Sequence, residues 1–318
     1  MLFEGAALNA QINYGETQME KVEYFNQPNC CKLSNGTVEV IVTTDIGPRV
    51  IRYAFLGGEN ILAELPDDDV ETEYGTWKPY GGHRLWHAPE GKPRSYVPDN
   101  TPIKFEAIGP NSVRLVQPVE EQTGIQKEMT VTLDDEGTGV TVEHKLTNHN
   151  CWGVDLAPWA LSIMNGEGGG TVILPQEPFR AHTDYLLPAR PMVFWHYTNL
   201  ADTRWQIGPK FIRLNVDASL DYPQKVGIAN KQGWAAYAHN GTLFVKRFEY
   251  EDEMTYPDCG CNCETFTTGS FVEVETVAPM HFLEPGQSGE HIEQWQLFKD
   301  VEIGETEDSV EAALKPLL

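Results

Sequence analysis

Short runs of β-forming residues separated by turn signals, with almost no helical periodicity, constrain this chain more than any other feature. Asn35-Gly36, Asp134-Asp-Glu-Gly137, Asn230-Lys-Gln-Gly233 and Asn240-Gly241 are hairpin-type turns. Around them, residues 37–43, 49–55, 112–117, 127–133, 139–144, 211–215, 241–248 and 271–279 are rich in Val, Ile, Thr and aromatics. The one helical pattern is residues 307–315, where Val310 and Leu314 lie four apart, with acidic residues first and a lysine last. No fixed-period repeat and no low-complexity linker divides the chain. The expectation is an all-β fold: one large antiparallel sandwich domain over residues 1–318, with its core at about 30–300 and a short C-terminal helix. The arm before residue 37 is expected to be irregular.

Two long segments interrupt the strand rhythm, residues 66–99 and 175–204. Both are dense in aromatic side chains, which argues against disorder and suits stacking on the faces of sugar rings. The first contains Tyr80-Gly-Gly-His-Arg-Leu-Trp-His-Ala-Pro-Glu90. If extended, it puts His83, Leu85 and His87 on one face and Arg84 and Trp86 on the other. It is either a packed Arg–Trp cluster or a ligand site. Near the C-terminus, Phe271-Val-Glu-Val-Glu-Thr-Val-Ala-Pro279 places Glu273 and Glu275 on one strand face. That face is either solvated or lines a polar cleft.

Charge narrows the partners. Lys and Arg number 23 against 47 Asp and Glu, a net charge of -24. Nucleic acid and anionic membrane, which bind through cationic surface, are not expected partners. The start, Met-Leu-Phe-Glu-Gly, has no basic segment leading into an apolar core. The six cysteines, Cys30, Cys31, Cys151, Cys259, Cys261 and Cys263, lack the spacing of zinc pairs or of a disulfide framework. Reduced thiols in the cytoplasm are the expectation. No metal or other cofactor is expected: His83 and His87 have a helical metal-site spacing on a segment that is not helical, and Asp67-Asp-Asp69 lacks the rest of a calcium loop.

Four pieces together resemble the aldose 1-epimerase (galactose mutarotase-like) superfamily, and its uncharacterised bacterial members more than true galactose mutarotases. They are Asp45-Ile-Gly-Pro-Arg-Val-Ile-Arg-Tyr53 with Gly58-Glu-Asn-Ile-Leu62; Gly81-Gly-His-Arg-Leu-Trp-His-Ala-Pro89; Leu146-Thr-Asn148 with Val154-Asp-Leu-Ala-Pro-Trp-Ala-Leu161; and Val272-Glu-Val-Glu-Thr276, Leu283-Glu-Pro-Gly286 and Glu293-Gln-Trp-Gln-Leu-Phe298. The resemblance implies an antiparallel supersandwich with a small-molecule sugar bound on a concave sheet.

It also implies acid/base ring opening, in which a base takes the anomeric hydroxyl proton while an acid protonates the ring oxygen. The family's base falls on Glu275, with Glu273 beside it. The family's acid histidine falls on Trp159, whose indole is no proton-transfer acid. His83 is then the first candidate acid and His87 the second. Arg84 and Lys246 would orient hydroxyls or an anionic group, although the Lys246 stem would equally cover apolar surface. Trp159 would serve as a stacking platform. Three readings stay open: a mutarotase- or epimerase-like isomerase, a non-catalytic carbohydrate-binding protein, and a glycosidase. The last is disfavoured because carboxylates two apart on one strand point in parallel.

Overall fold

The computed structural model describes residues 12–14 and 17–318; the Met1–Gly5 start lies outside them. Two large antiparallel sheets hold nearly all the strands. The first, of twelve strands, runs in spatial order Ile12–Tyr14, Thr17–Tyr24, Gln27–Ser34, Val38–Val42, Arg49–Phe55, His83–Ala88, Val154–Asn165, Phe271–Val277, Cys263–Thr268, Gln224–Ile228 and Met192–Phe194, with His281–Leu283 paired to Val154–Asn165. The second, of ten strands, has Ile125–Leu133, Val140–Asn148, Ser288–Phe298 and Thr242–Phe248 near its middle. The fold class expected from the turn spacing is the one observed. The irregular N-terminal arm is not: Thr17–Tyr24 and Gln27–Ser34 form a hairpin that extends the first sheet. Their mixed polar composition, near the end of the sheet, hid the alternation.

The core lies between the sheets. Leu33, Val40, Tyr53, Leu85, Val272 and Val274 from the first meet Leu115, Met129, Val142, Leu214, Phe244 and Trp295 from the second. Each such side chain contributes roughly 1.5–3 kcal/mol on burial. Strands of the second sheet alternate buried and partly exposed positions, as in Ile125–Leu133. At the centre of the first sheet the alternation disappears: His83–Ala88 and nearly all of Val154–Asn165 and Phe271–Val277 are buried on both faces. A second apolar cluster, with Trp77, Trp86, Trp159 and Leu161, covers the outer face there. Sheets buried on both sides need a covering layer, and residues 66–99 supply part of it.

Two devices fix that layer. Arg49, fully buried, pairs with Asp99 at 2.8 Å and donates to the carbonyls of Pro79 and Lys78. Gly81 and Gly82 both have positive φ, and a Cβ would come within 2.1 Å of the Ala63 carbonyl oxygen at Gly81 and 2.3 Å of the Val50 oxygen at Gly82. Only glycine fits both the conformation and the approach. The C-terminal helix Glu307–Leu314 is capped by Thr306, with Ser309 reciprocating, and packs Val310 and Leu314 on the outside of the second sheet.

Candidate functional site

The three central strands, far apart in sequence, are joined edge to edge. Trp86 pairs with Trp159, and Leu161 with Glu275. On their outer face lies a cleft of about 990 Å³, whose lining includes Arg84, Trp86, Trp159, Lys225 and Glu273. Trp77, Tyr96, Trp195 and Tyr197 come to it from the two long segments. Trp86 meets Trp77 and Trp159 at ring separations of 5.4 Å each.

Both carboxylates of the Glu273/Glu275 strand point to this face, and each meets a cation from another strand. Arg84 Nη2 donates to Glu273 Oε1 at 3.2 Å. The Arg84 guanidinium also lies over the rings of Trp77 and Trp86, at 5.3 and 4.7 Å. Its Nε and Nη1 are buried without a partner. Lys225 Nζ donates to Glu275 Oε2 at 2.9 Å and stands 2.8 Å from Glu264 Oε2. Trp159 Nε1 donates to the same Glu275 oxygen at 2.9 Å, and Glu275 Oε1 is buried and unpartnered. Glu275 and Glu264 sit directly opposite each other in register and are fully buried, whereas Glu273 lines the cleft.

This arrangement shifts several groups. Burial, reinforced by the charge of Glu275 and opposed by Lys225, pushes the Glu264 carboxyl up to about 8. Burial likewise raises Glu273, against the pull of Arg84. For Lys225, burial alone would lower the value, but its two carboxylate partners win and hold it well above the lysine range. Asp258 is raised by burial and feels the charges of Lys225 and Glu275. At and just beneath the cleft floor, carboxyl groups therefore outnumber their cations, and burial raises Glu264, Glu273 and Asp258.

Of the residues singled out in the sequence, Glu275, Glu273, Arg84 and Trp159 come together here. His83, His87 and Lys246 do not: strand alternation turns them to the inner face, between the sheets. His144 Nδ1 donates to the His291 carbonyl at 3.0 Å, so its Nε2 accepts from His83 Nε2–H at 2.7 Å, and His83 Nδ1 accepts from Ser162. Lys246 Nζ donates to Glu293 Oε1 at 2.9 Å and to the Val274 carbonyl. Glu293 also accepts from Thr276 and from Trp295 Nε1. His87 faces Glu120, which pairs with Lys127 at 2.6 Å.

His83, His144 and Glu293 are the described residues whose ligand atoms lie close enough for a metal, within 4.8 Å of one another. Two nitrogens on one tetrahedral zinc would stand ~3.3 Å apart. The 2.7 Å between the two histidine nitrogens is a hydrogen-bond distance, and the Lys246 ammonium already provides the local positive charge. These residues fit a proton network better than a metal. Burial holds His83, His144 and His291 below the histidine range, His291 at about 3.

Sequence reading missed Lys225 and Glu264. Gln224-Lys-Val-Gly-Ile228 carries one charged residue among β-formers, a signal shared with many exposed strands. Only the register that sets Gln224–Ile228 beside Cys263–Thr268 brings Lys225 between two glutamates. The thiols of Cys259, Cys261 and Cys263 do not converge as one set: Cys259 is exposed in the turn and the other two are buried.

No family model matches the sequence, and no curated protein does. Among solved structures, a galactose mutarotase-like protein from Lactobacillus casei ATCC 334 is similar at 12% identity over 85% of this chain and 100% of its own, with a TM-score of 0.56. The fold is galactose mutarotase-like. A galactose mutarotase related enzyme from Lactobacillus acidophilus is similar at 10% identity over 85% of this chain and 98% of its own, with a TM-score of 0.53. A TPR-domain containing protein from Parabacteroides distasonis ATCC 8503 is similar at 14% identity and a TM-score of 0.57. That likeness covers 86% of this chain, which spans about half (48%) of that protein.

Proposed function

We propose that this protein is a mutarotase- or epimerase-like isomerase, opening the ring of a sugar or sugar derivative by acid/base catalysis in the outer cleft. The observation that carries the reading is the carboxylate pair Glu273/Glu275, each held by a cation from a different strand, on the floor of an aromatic-walled cleft. Aromatic faces suit the apolar faces of a pyranose, and buried, unpartnered N–H groups on Arg84 suit its hydroxyls.

The carboxylate pair is the base that takes the anomeric hydroxyl proton. Glu273 is its cleft-lining member, and Glu275 stands behind it at the position where the resemblance puts the base. Lys225, which lines the cleft, passes a proton to the ring oxygen as the ring bond breaks while the protonated Glu264 carboxyl 2.8 Å behind it hands over its own, so Glu264 is the acid and Lys225 the relay. Closure on the other face of the carbonyl reverses each transfer. Among the described residues no histidine lines the cleft. His83, His87 and Lys246 act from behind the sheet by fixing its floor.

A second reading, a carbohydrate-binding protein without catalysis, draws on Trp159 at the expected acid position with its indole committed to Glu275. Anomer exchange followed by saturation-transfer NMR over a panel of aldoses separates the two. The isomerase accelerates exchange, and Glu273→Gln or Glu275→Gln lowers the rate by about 100-fold or more. Binding without acceleration overturns the isomerase in favour of the binding protein.

A further inference from the structure

We infer that the cleft selects a sugar bearing a positive charge, an amino sugar with a free ammonium group, and turns away sugar phosphates and uronates. The inference rests on the carbohydrate reading of the cleft and adds the class of ligand. Its basis is the charge facing the bound molecule. Both buried cations are already neutralised: Arg84 by Glu273 at 3.2 Å, and Lys225 by Glu275 at 2.9 Å, with the protonated Glu264 carboxyl 2.8 Å away. The third lining cation, Lys92, is exposed at the mouth, where Asp67, Asp68, Asp69 and Glu90 also line the opening. Lys78 takes up Asp69 at 2.5 Å and leaves the other acids unpaired with it.

A phosphate or carboxylate entering here crosses an acidic mouth and finds each interior cation already paired with a carboxylate, at the cost of leaving water. An ammonium group meets the reverse. Glu273, only 7% exposed, gives Arg84 its Oε1 and, among the described residues, spends Oε2 on no hydrogen bond, so a carboxylate oxygen remains for the ligand. The unpartnered Nε and Nη1 of Arg84 are left for the sugar's hydroxyl oxygens.

The test uses the full chain and matched probes: glucosamine, galactosamine and mannosamine, their parent hexoses and N-acetyl forms, hexose 6-phosphates and glucuronate. Binding is followed by NMR titration at neutral pH, where most of the amine is still charged and Glu273 is less protonated than in acid, and anomer exchange is read in the same samples. One charge-assisted hydrogen bond predicts that an amine binds about tenfold tighter than its parent or N-acetyl form. The preference shrinks as salt rises. Glu273→Gln brings the amine-to-parent ratio close to one, and the exposed-mouth variant Asp68→Asn lowers it with the fold undisturbed. Equal binding of amine and parent, or tighter binding of phosphate or glucuronate, overturns the inference. If neutral hexoses are bound or interconverted without amine preference, the charge selection falls and the isomerase reading stands. If no sugar of any kind binds, both fall.

Discussion

At the scale of single residues, the molecule sets two polar clusters back to back across one sheet, and their protonation runs in opposite directions. Inside, His83, His144 and His291 are kept neutral by burial. Because their folded values lie below the unfolded value of about 6.5, their contribution is full above that pH and is lost progressively as pH falls from there towards the folded values. On the cleft side, Glu264 is raised to about 8, so its contribution is full below the unfolded value of about 4.3 and is lost as pH rises towards 8. Urea midpoints measured against pH should therefore fall on both sides of a mildly acidic optimum. Glu264→Gln should flatten the alkaline limb and leave the acid limb in place; an unchanged alkaline limb would remove Glu264 from the account. Lys225→Met leaves the buried Glu275 carboxylate without its cation and should cost about 3–5 kcal/mol in chemical denaturation. A cost below about 1 kcal/mol would mean that water or another group already serves that carboxylate.

Among the elements, the His83–Ala88 strand decides the site because it sits between Arg49–Phe55 and Val154–Asn165 and presents Arg84 and Trp86 outward. Its entry depends on Gly82, where an added Cβ meets backbone on a residue with φ of +71°. Gly82→Ala should destabilise the fold by at least about 2 kcal/mol, more than the ordinary glycine-to-alanine change at an unstrained site. Far-UV circular dichroism with urea titration checks it, and a neutral result would show that the strand can enter by another path. Much of this element was legible in the sequence. The alternation around Arg84 and Trp86 and the pairing of Glu273 with Glu275 follow from the period of two. What alternation cannot tell is which face is the cleft, so His83 and His87 looked like neighbours of Glu275 until the register placed them on the other side. Lys225 and Glu264 were hidden for a related reason. Their significance lies in cross-strand neighbours about forty residues apart, which no local pattern encodes.

For the whole molecule, strand count and turn spacing anticipated a large antiparallel sandwich, because many short hairpin-linked strands with no fixed-period repeat and no dividing linker favour it over propellers and solenoids. The N-terminal hairpin escaped notice because its strands, near the end of the first sheet, lack a clean apolar alternation. We propose that the described residues fold as one domain, given that a single apolar cluster draws on both sheets. Thermal and urea unfolding should then give one coincident transition by fluorescence and circular dichroism. Two separated transitions would divide the chain. The measurement that bears most directly on the central claim is anomer exchange by saturation-transfer NMR with the wild type, Glu273→Gln and Glu275→Gln side by side. An isomerase built on this carboxylate pair accelerates exchange of at least one sugar, and both variants lose that acceleration while still binding it. Exchange at the uncatalysed rate for every sugar that binds, or acceleration untouched by both substitutions, would contradict it.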